Sequence, residues 1–253
     1  MLIFTEEELS VNKNEKFIYG KLYVPKAGIE PYPTVIISHG LSVTHSYVDS
    51  LAKYLVKQGF ATYIFDYRGG GYGSKSSGSS IEMSVLTEMG DLSDVVELLL
   101  QEKRIDKNRL FLAGQSQGGI VSALYAANNP EKIRGLVLEY PAFDIPDYGH
   151  SIYTNESNIP DRYRFASMEV GRPYFTDTWN LDVYSEISKY TGPVLIIHGT
   201  EDSLVPISYS KKAVEFYQDA DLIIVPRAGH GFYGLEKRKI SKDIREFLKL
   251  HSK

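Results

Sequence analysis

Residues 109–128 read Arg109-Leu-Phe-Leu-Ala-Gly114-Gln-Ser116-Gln-Gly118-Gly-Ile-Val-Ser-Ala-Leu-Tyr-Ala-Ala-Asn128. The stretch opens on a short apolar run, Leu110 to Ala113, and closes on a helix-like run from Gly119 to Ala126. Between them stands G-x-S-x-G. The bare pattern arises by chance in roughly one chain of this size in ten, so its strand–turn–helix setting is what gives it meaning. A turn this tight brings strand and helix almost into contact, and the residues two before and two after the serine must be small. Gly114 and Gly118 satisfy that, and Gly119 adds room. Ser116 is thereby expected above the C-terminal edge of a sheet and at a helix N-terminus, where developing negative charge is favoured. The competing reading is a Gly-rich turn with an incidental serine.

Outward from this turn the chain alternates. Near-continuous apolar runs at 34–38, 61–66, 109–113, 135–140, 193–198 and 221–225 have the character of strands buried on both faces of a parallel sheet. An earlier run at 17–24 reads as one further strand. Helical spacing is clearest at 46–58, 85–103, 117–128, 207–218 and 236–250. Strand and helix in alternation predict an α/β fold, a mostly parallel central sheet flanked by helices. From 143 to 191 the alternation stops, and several Tyr residues, Trp179, Pro146, Pro160 and Pro173 appear instead. Long connections in compact domains are usually functional or disordered, and the aromatic content argues against disorder. The expectation is a core of residues 1–142 and 192–253 carrying an inserted lid of residues 143–191.

A serine hydroxyl needs a base. Among the histidines after Ser116, His230 lies in Ala228-Gly-His-Gly-Phe232, a loop following the strand-like 221–225. Loops at the C-terminal ends of strands are where open α/β sheets collect ligand sites, and flanking glycines let the ring approach the serine. The plain alternative is a surface-loop histidine. An acid to orient the imidazole is expected at the end of the preceding strand, where Glu201 and Asp202 stand side by side. Two backbone N–H donors should face the developing oxyanion, one from the residue after the nucleophile, Gln117. The Gly69–Ser80 loop superficially suggests phosphate binding, but Ser74 occupies the position before Lys75 where a glycine is required.

Bulk properties set limits. The 253 residues fit one domain. There is no cysteine, which excludes disulfides, thiolate catalysis and Cys-ligated metal sites, and suits a cytoplasmic location. The net charge of −4 gives no reason to expect nucleic acid or an anionic membrane as partner. The apolar start, Met1 to Phe4, is too short for a secretion signal, and no apolar run reaches the length of a membrane span.

Taken in order, His39-Gly40, Asp66-Tyr-Arg-Gly69, Gly114-Gln-Ser-Gln-Gly-Gly119, His198-Gly-Thr-Glu-Asp202 with Val205-Pro206, and Gly229-His230-Gly231 resemble the α/β-hydrolase superfamily over nearly the whole chain. Within it the chain looks most like bacterial cinnamoyl (feruloyl) esterases and related small carboxylesterases. Ser116-Gln-Gly-Gly119, the insertion at 143–191 and the run from Tyr190 to Asp202 carry that likeness. The resemblance implies a catalytic triad of Ser116, Asp202 and His230, with Leu41 joining Gln117 in the oxyanion hole. It implies a cofactor-free enzyme acting on a small-molecule carboxylic ester, with an aromatic acyl group received under the lid, and homodimers as in such enzymes. A monoacylglycerol lipase, lactonase or serine peptidase shares the fold, as does a non-catalytic small-molecule-binding protein. Two features depart from the pattern: Gln115, where many relatives carry His, and the extended Gly69–Ser80 loop.

Overall fold

The computed structural model describes residues 3–13, 15–165 and 168–253. Met1 and Leu2, which begin the apolar N-terminal run, lie outside the described residues, as do Ala166 and Ser167 of the inserted segment. The strands are β1 (Phe4–Glu8), β2 (Val11–Lys13), β3 (Lys16–Ile18), β4 (Gly20–Pro25), β5 (Tyr32–Ser38), β6 (Ala61–Phe65), β7 (Ile105–Gln115), β8 (Gly135–Glu139), β9 (Arg162–Phe165), β10 (Met168–Gly171), β11 (Val194–Gly199) and β12 (Ala220–Val225). The helices are α1 (His45–Val56), α2 (Val85–Leu99), α3 (Gln117–Asn128), α4 (Ile145–Ile152), α5 (Pro173–Thr176), α6 (Val183–Ile187), α7 (Ile207–Phe216) and α8 (Gly234–His251). None of the helices among the described residues is long and apolar enough to cross a membrane.

Eight strands form the central sheet in the order β1-β4-β6-β5-β7-β8-β11-β12. From β6 to β12 all pairings are parallel, while β1 and β4 add antiparallel strands at one edge. The sheet is the parallel α/β sheet expected from the apolar runs. Leu51, Leu55, Ile240, Ile244 and Leu248 of α1 and α8 pack on one face. Leu92, Val96, Ile120, Leu124 and Ala213 of α2, α3 and α7 pack on the other. α1, α2, α7 and α8 each bury one apolar stripe, α3 is buried nearly all round, and the strands are apolar on both sides because both faces are covered.

Three local differences from the sequence reading have simple causes. The run at 17–24 divides into β3 and β4 at Tyr19. β1 escapes recognition because Phe-Thr-Glu-Glu-Glu is charged; it is an edge strand with only Phe4 buried, and charges there guard against edge-to-edge association. The segment 143–191 has structure of its own: helix α4, the antiparallel pair β9–β10, and the short helices α5 and α6. It is tied to the main core at both ends, through Phe143 and Ile145 and through Val183, Tyr184 and Ile187. Its middle builds a separate cluster of Met83, Ile159, Met168, Val170, Tyr174 and Phe175, against which Tyr148, Trp179 and Leu41 pack.

The parallel part of the sheet begins at β5, adds β6 on one side, then crosses to β7 on the other. The strand order reverses between β5 and β7, and the crevice at their C-terminal ends is where open α/β sheets bind ligands. Ser38 of β5 is in register with Gly114 of β7, which sets His39-Gly40 beside Gln115-Ser116. The β7–α3 turn is as tight as the glycine spacing predicts. A Cβ on Gly114 would sit on the Gly118 carbonyl, and a Cβ on Gly118 would sit on the His39 carbonyl oxygen.

Gly118→Ala is therefore expected to destabilise the fold by about 1–3 kcal/mol through overpacking against backbone. Gly90→Ala, on an exposed face of α2 with nothing within 4 Å of the added Cβ, should stabilise it by roughly 0.5–1 kcal/mol. Urea denaturation midpoints of the two variants check both signs.

Candidate active site

Ser116 has φ 52° and ψ −119°, a backbone conformation that L-residues rarely adopt and that costs about 1–3 kcal/mol. Its own peptide groups hold it there. Its N–H donates to the Glu139 carbonyl (3.0 Å), and its carbonyl accepts from the N–H groups of Gly119 (2.9 Å) and Ala142 (3.0 Å). The turn is thus pinned to both α3 and the end of β8, and Ser116 caps α3 with its side chain free for another partner.

That partner is His230. His230 Nε2 lies 2.9 Å from Ser116 Oγ, and His230 Nδ1 lies 2.8 Å from Asp202 Oδ2. Of the two adjacent acids, Asp202 meets the histidine; the Asp202 side chain is fully buried and that of His230 is 17% exposed. The other carboxylate oxygen, Oδ1, accepts from the backbone N–H groups of Leu204 (2.9 Å) and Val205 (3.0 Å). A further donor went unrecognised in the sequence: His198 Nε2 lies 3.1 Å from Asp202 Oδ2, with both side chains fully buried. Burial pushes the Asp202 carboxyl up. Hydrogen bonds from His198, His230 and the Val205 N–H outweigh that and hold it well below the usual carboxylate range. Tyr140, at φ 38°, turns its ring edge toward His230 with centroids 4.7 Å apart and braces the imidazole from behind.

The two expected backbone donors flank the serine. Gln117 opens α3, so its N–H has no acceptor within the helix. Leu41 follows Gly40, where an added Cβ would lie 3.0 Å from Ser116 Cβ; any side chain at that position would crowd the serine. Among the described residues the Leu41 N–H has no hydrogen-bond acceptor. His39 braces this loop. Its Nδ1 donates to the Gly40 carbonyl (2.7 Å) and its Nε2 accepts from the Tyr67 N–H (3.1 Å). With both nitrogens so engaged, the ring is neutral, and burial lowers its pKa accordingly.

The Gly69–Ser80 loop holds the loop that carries Leu41 in place. Ser42 N–H donates to the Gly70 carbonyl (2.9 Å), Ser42 and Gly71 form a parallel bridge, and a Cβ on Gly71 would sit on the Val43 carbonyl. Asp66 and Arg68 make structural contacts. Asp66 accepts from His45 N–H (2.7 Å) and Lys75 N–H (2.9 Å), and Arg68 pairs with Asp91.

Three acidic groups near the site were not singled out in the sequence. Gln115, the departure noted before the serine, donates from Nε2 to buried Glu139 Oε1 (2.9 Å). Burial raises the pKa of Glu139 and, more strongly, that of Glu88, which lies against Gln117. The Asp144 carboxyl, just before α4, is pushed up to about 6, first by burial and further by the charges of Asp202 and Asp147, against the opposing influence of His230. No residue pattern signals these groups, because their shifts come chiefly from burial, which only the folded chain sets.

The raised pKa of Glu139 means the folded chain holds a proton that the unfolded chain releases. Its burial is least costly below the unfolded pKa, and stability is lost as pH rises toward the folded pKa. Glu139→Gln is expected to melt higher than the parent at pH 8, by roughly 2–4 °C for a gain of about 1 kcal/mol. The gain should shrink toward pH 5. Calorimetric melting at the two pH values checks the trend.

Comparison with known proteins places this geometry. Residues 29–167 match the family described as serine aminopeptidase, S33, and residues 173–251 match that described as TAP-like protein. The structure of Est1E from Butyrivibrio proteoclasticus with bound ferulic acid superposes with a TM-score of 0.88 at 25% identity, covering 96% of this chain and 98% of that one. The human acylamino-acid-releasing enzyme is 28% identical over 225 residues, 81% of this chain and 29% of its own length. The Caenorhabditis elegans alpha/beta hydrolase domain-containing protein aho-3 is 27% identical over 237 residues, 88% of this chain and 61% of its own. The chain thus spans under a third of the human relative's length and under two thirds of the nematode one's.

Proposed function

The chain belongs to the α/β-hydrolase superfamily of serine hydrolases, and from that premise we propose that it is a carboxylesterase working through an acyl-enzyme on Ser116. The observation that carries this reading is the unbroken hydrogen-bonded chain from Asp202 through His230 to Ser116 Oγ. In the first step His230 Nε2 takes the hydroxyl proton as Ser116 Oγ bonds to the ester carbonyl carbon. The carbonyl oxygen becomes an oxyanion facing the Leu41 and Gln117 N–H groups. Its collapse breaks the bond to the leaving alcohol, which His230 protonates. Water then attacks the acyl-enzyme by the same route, returning the proton to Ser116.

Two observations favour an ester with an aromatic acyl group. The Est1E likeness covers almost all of both chains, and ferulic acid is the molecule bound there. The middle of the inserted segment is aromatic: Tyr148, Tyr153, Tyr163, Phe165 and Phe175 form edge-to-face and stacked contacts, Trp179 packs against the same cluster, and the cluster reaches Leu41. Such a surface favours a flat apolar group over a polar peptide. We read residues 143–191 as the lid that supplies it. The peptidase reading rests on the family description and on the human relative, and a panel of methyl ferulate, short p-nitrophenyl esters and aminoacyl amides separates the two. Turnover of aminoacyl amides alone overturns the esterase.

Ser116→Ala should abolish turnover of a small aryl ester and labelling by a fluorophosphonate. A folded parent protein that fails to label would instead favour a binding role. Asp202→Asn should lower kcat by about 10³–10⁴-fold, because the amide presents its N–H to His230 Nδ1 and imposes the wrong tautomer. Steady-state kinetics on p-nitrophenyl acetate measure the loss, and a near-normal rate would remove Asp202 from the mechanism.

A further inference from the structure

His198 ends β11 and is fully buried. Its Nε2 faces two oxygens, Asp202 Oδ2 at 3.1 Å and the Val205 carbonyl at 3.0 Å. Both are acceptors, so the proton sits on Nε2. Its Nδ1 lies 2.7 Å from the buried hydroxyl of Ser210 in α7, which orients the ring from the other side. Asp202 therefore has four donors: two backbone N–H groups on Oδ1, and two imidazole N–H groups, from His198 and His230, on Oδ2. A carboxylate gripped on both oxygens cannot rotate about its last bond.

Resting on the esterase reading, we propose that His198 is a positioning residue for the reaction: its Nε2–H shares Asp202 Oδ2 with His230 and keeps that oxygen aimed at His230 Nδ1. The sharing has an electrostatic consequence. Charge drawn from Oδ2 by His198 is withheld from His230, which tempers the pull of Asp202 on the imidazolium. The other groups facing His230 are Asp144 before α4, Tyr140 at the end of β8 and Ser116. None of them shares a hydrogen bond with His198, whose polar partners are Asp202, Val205 and Ser210, so the polar route from residue 198 to His230 runs through Asp202.

The test compares His198→Leu, which removes the donor, with His198→Gln, whose amide N–H reaches toward the same oxygen. Substrate is a p-nitrophenyl ester, and pH profiles of kcat and KM are measured. His198→Leu should lose up to about 100-fold in kcat from a misaimed acid, with KM little changed. The acidic limb of kcat/KM should move up by about 0.5 unit, because Oδ2 then stabilises imidazolium more strongly. His198→Gln should recover most of both effects. Proton NMR of the parent chain labelled with ¹⁵N-histidine gives a readout independent of turnover. Two downfield imidazole N–H signals are expected, and loss of the His198 signal in either variant should shift that of His230.

A folded His198→Leu with the parent's kcat and acidic limb overturns the proposal. So does a His198→Gln variant as slow as His198→Leu with an unmoved limb, since that pattern marks a purely structural role. If His198→Leu does not fold, the parent spectrum decides: absence of a downfield His198 Nε2–H overturns the proposal, and its presence together with rescue by His198→Gln sustains it. If both signals are present but Ser116→Ala still hydrolyses the ester, the assignment of Ser116 fails and the shared carboxylate stands.

Discussion

The close approach of β7 and α3 is the constraint on which the rest of the site depends. Backbone oxygens of Gly118 and His39 occupy the space where side chains at Gly114 and Gly118 would go. That contact forces Ser116 into its strained conformation and lifts its hydroxyl clear of the sheet. The strain is held by hydrogen bonds to Glu139, Gly119 and Ala142. Those same bonds link the turn to β8, whose next residue, Tyr140, braces His230. One packing requirement thus sets the serine, the helix N-terminus beneath it and the backing of its histidine.

Around this turn the molecule uses buried polar groups in two opposite ways. Asp202 is buried but richly supplied with donors, and its ionised form is favoured. Glu139 and Glu88 are buried with far fewer donors, and their neutral forms are favoured. The difference lies chiefly in the N–H groups aimed at each carboxyl. A fixed negative charge therefore stands behind His230, while burial disfavours charge on Glu139 and Glu88 beside Gln115 and Gln117. The Gly69–Ser80 loop completes the frame. It binds the Leu41 loop through Gly70 and Gly71, so its glycines serve close backbone contact where their spacing superficially suggested phosphate binding.

Much of this was legible in the chain itself. The six parallel strands announced themselves as short apolar runs because both faces of the sheet are covered. The tight turn at Ser116 was legible because only small residues fit there. His230 could be picked out by its glycine-flanked loop after β12. The choice of Asp202 over Glu201 needed a family resemblance, because two neighbouring acids on one loop look alike until the backbone shows which side chain turns inward. Strand β1 was hidden by its charges, and the β9–β10 pair by its shortness, since the charged–aromatic alternation of Arg-Tyr-Arg-Phe runs over only four residues.

By itself, then, the sequence determined the α/β layering and the tight serine turn, since each follows from periodicity or from local steric need. Only the tertiary structure decided that His198 shares the Asp202 carboxylate, that Gln115 pairs with Glu139, that Asp144 stands near His230 and that the Gly-rich loop clamps Leu41. Most of these contacts join residues brought together by crossovers of the sheet, and the His198–Asp202 pair, four residues apart, depends on how the loop after β11 folds back. Their energetics depend on burial and donor count, and neither quantity exists until the chain has folded.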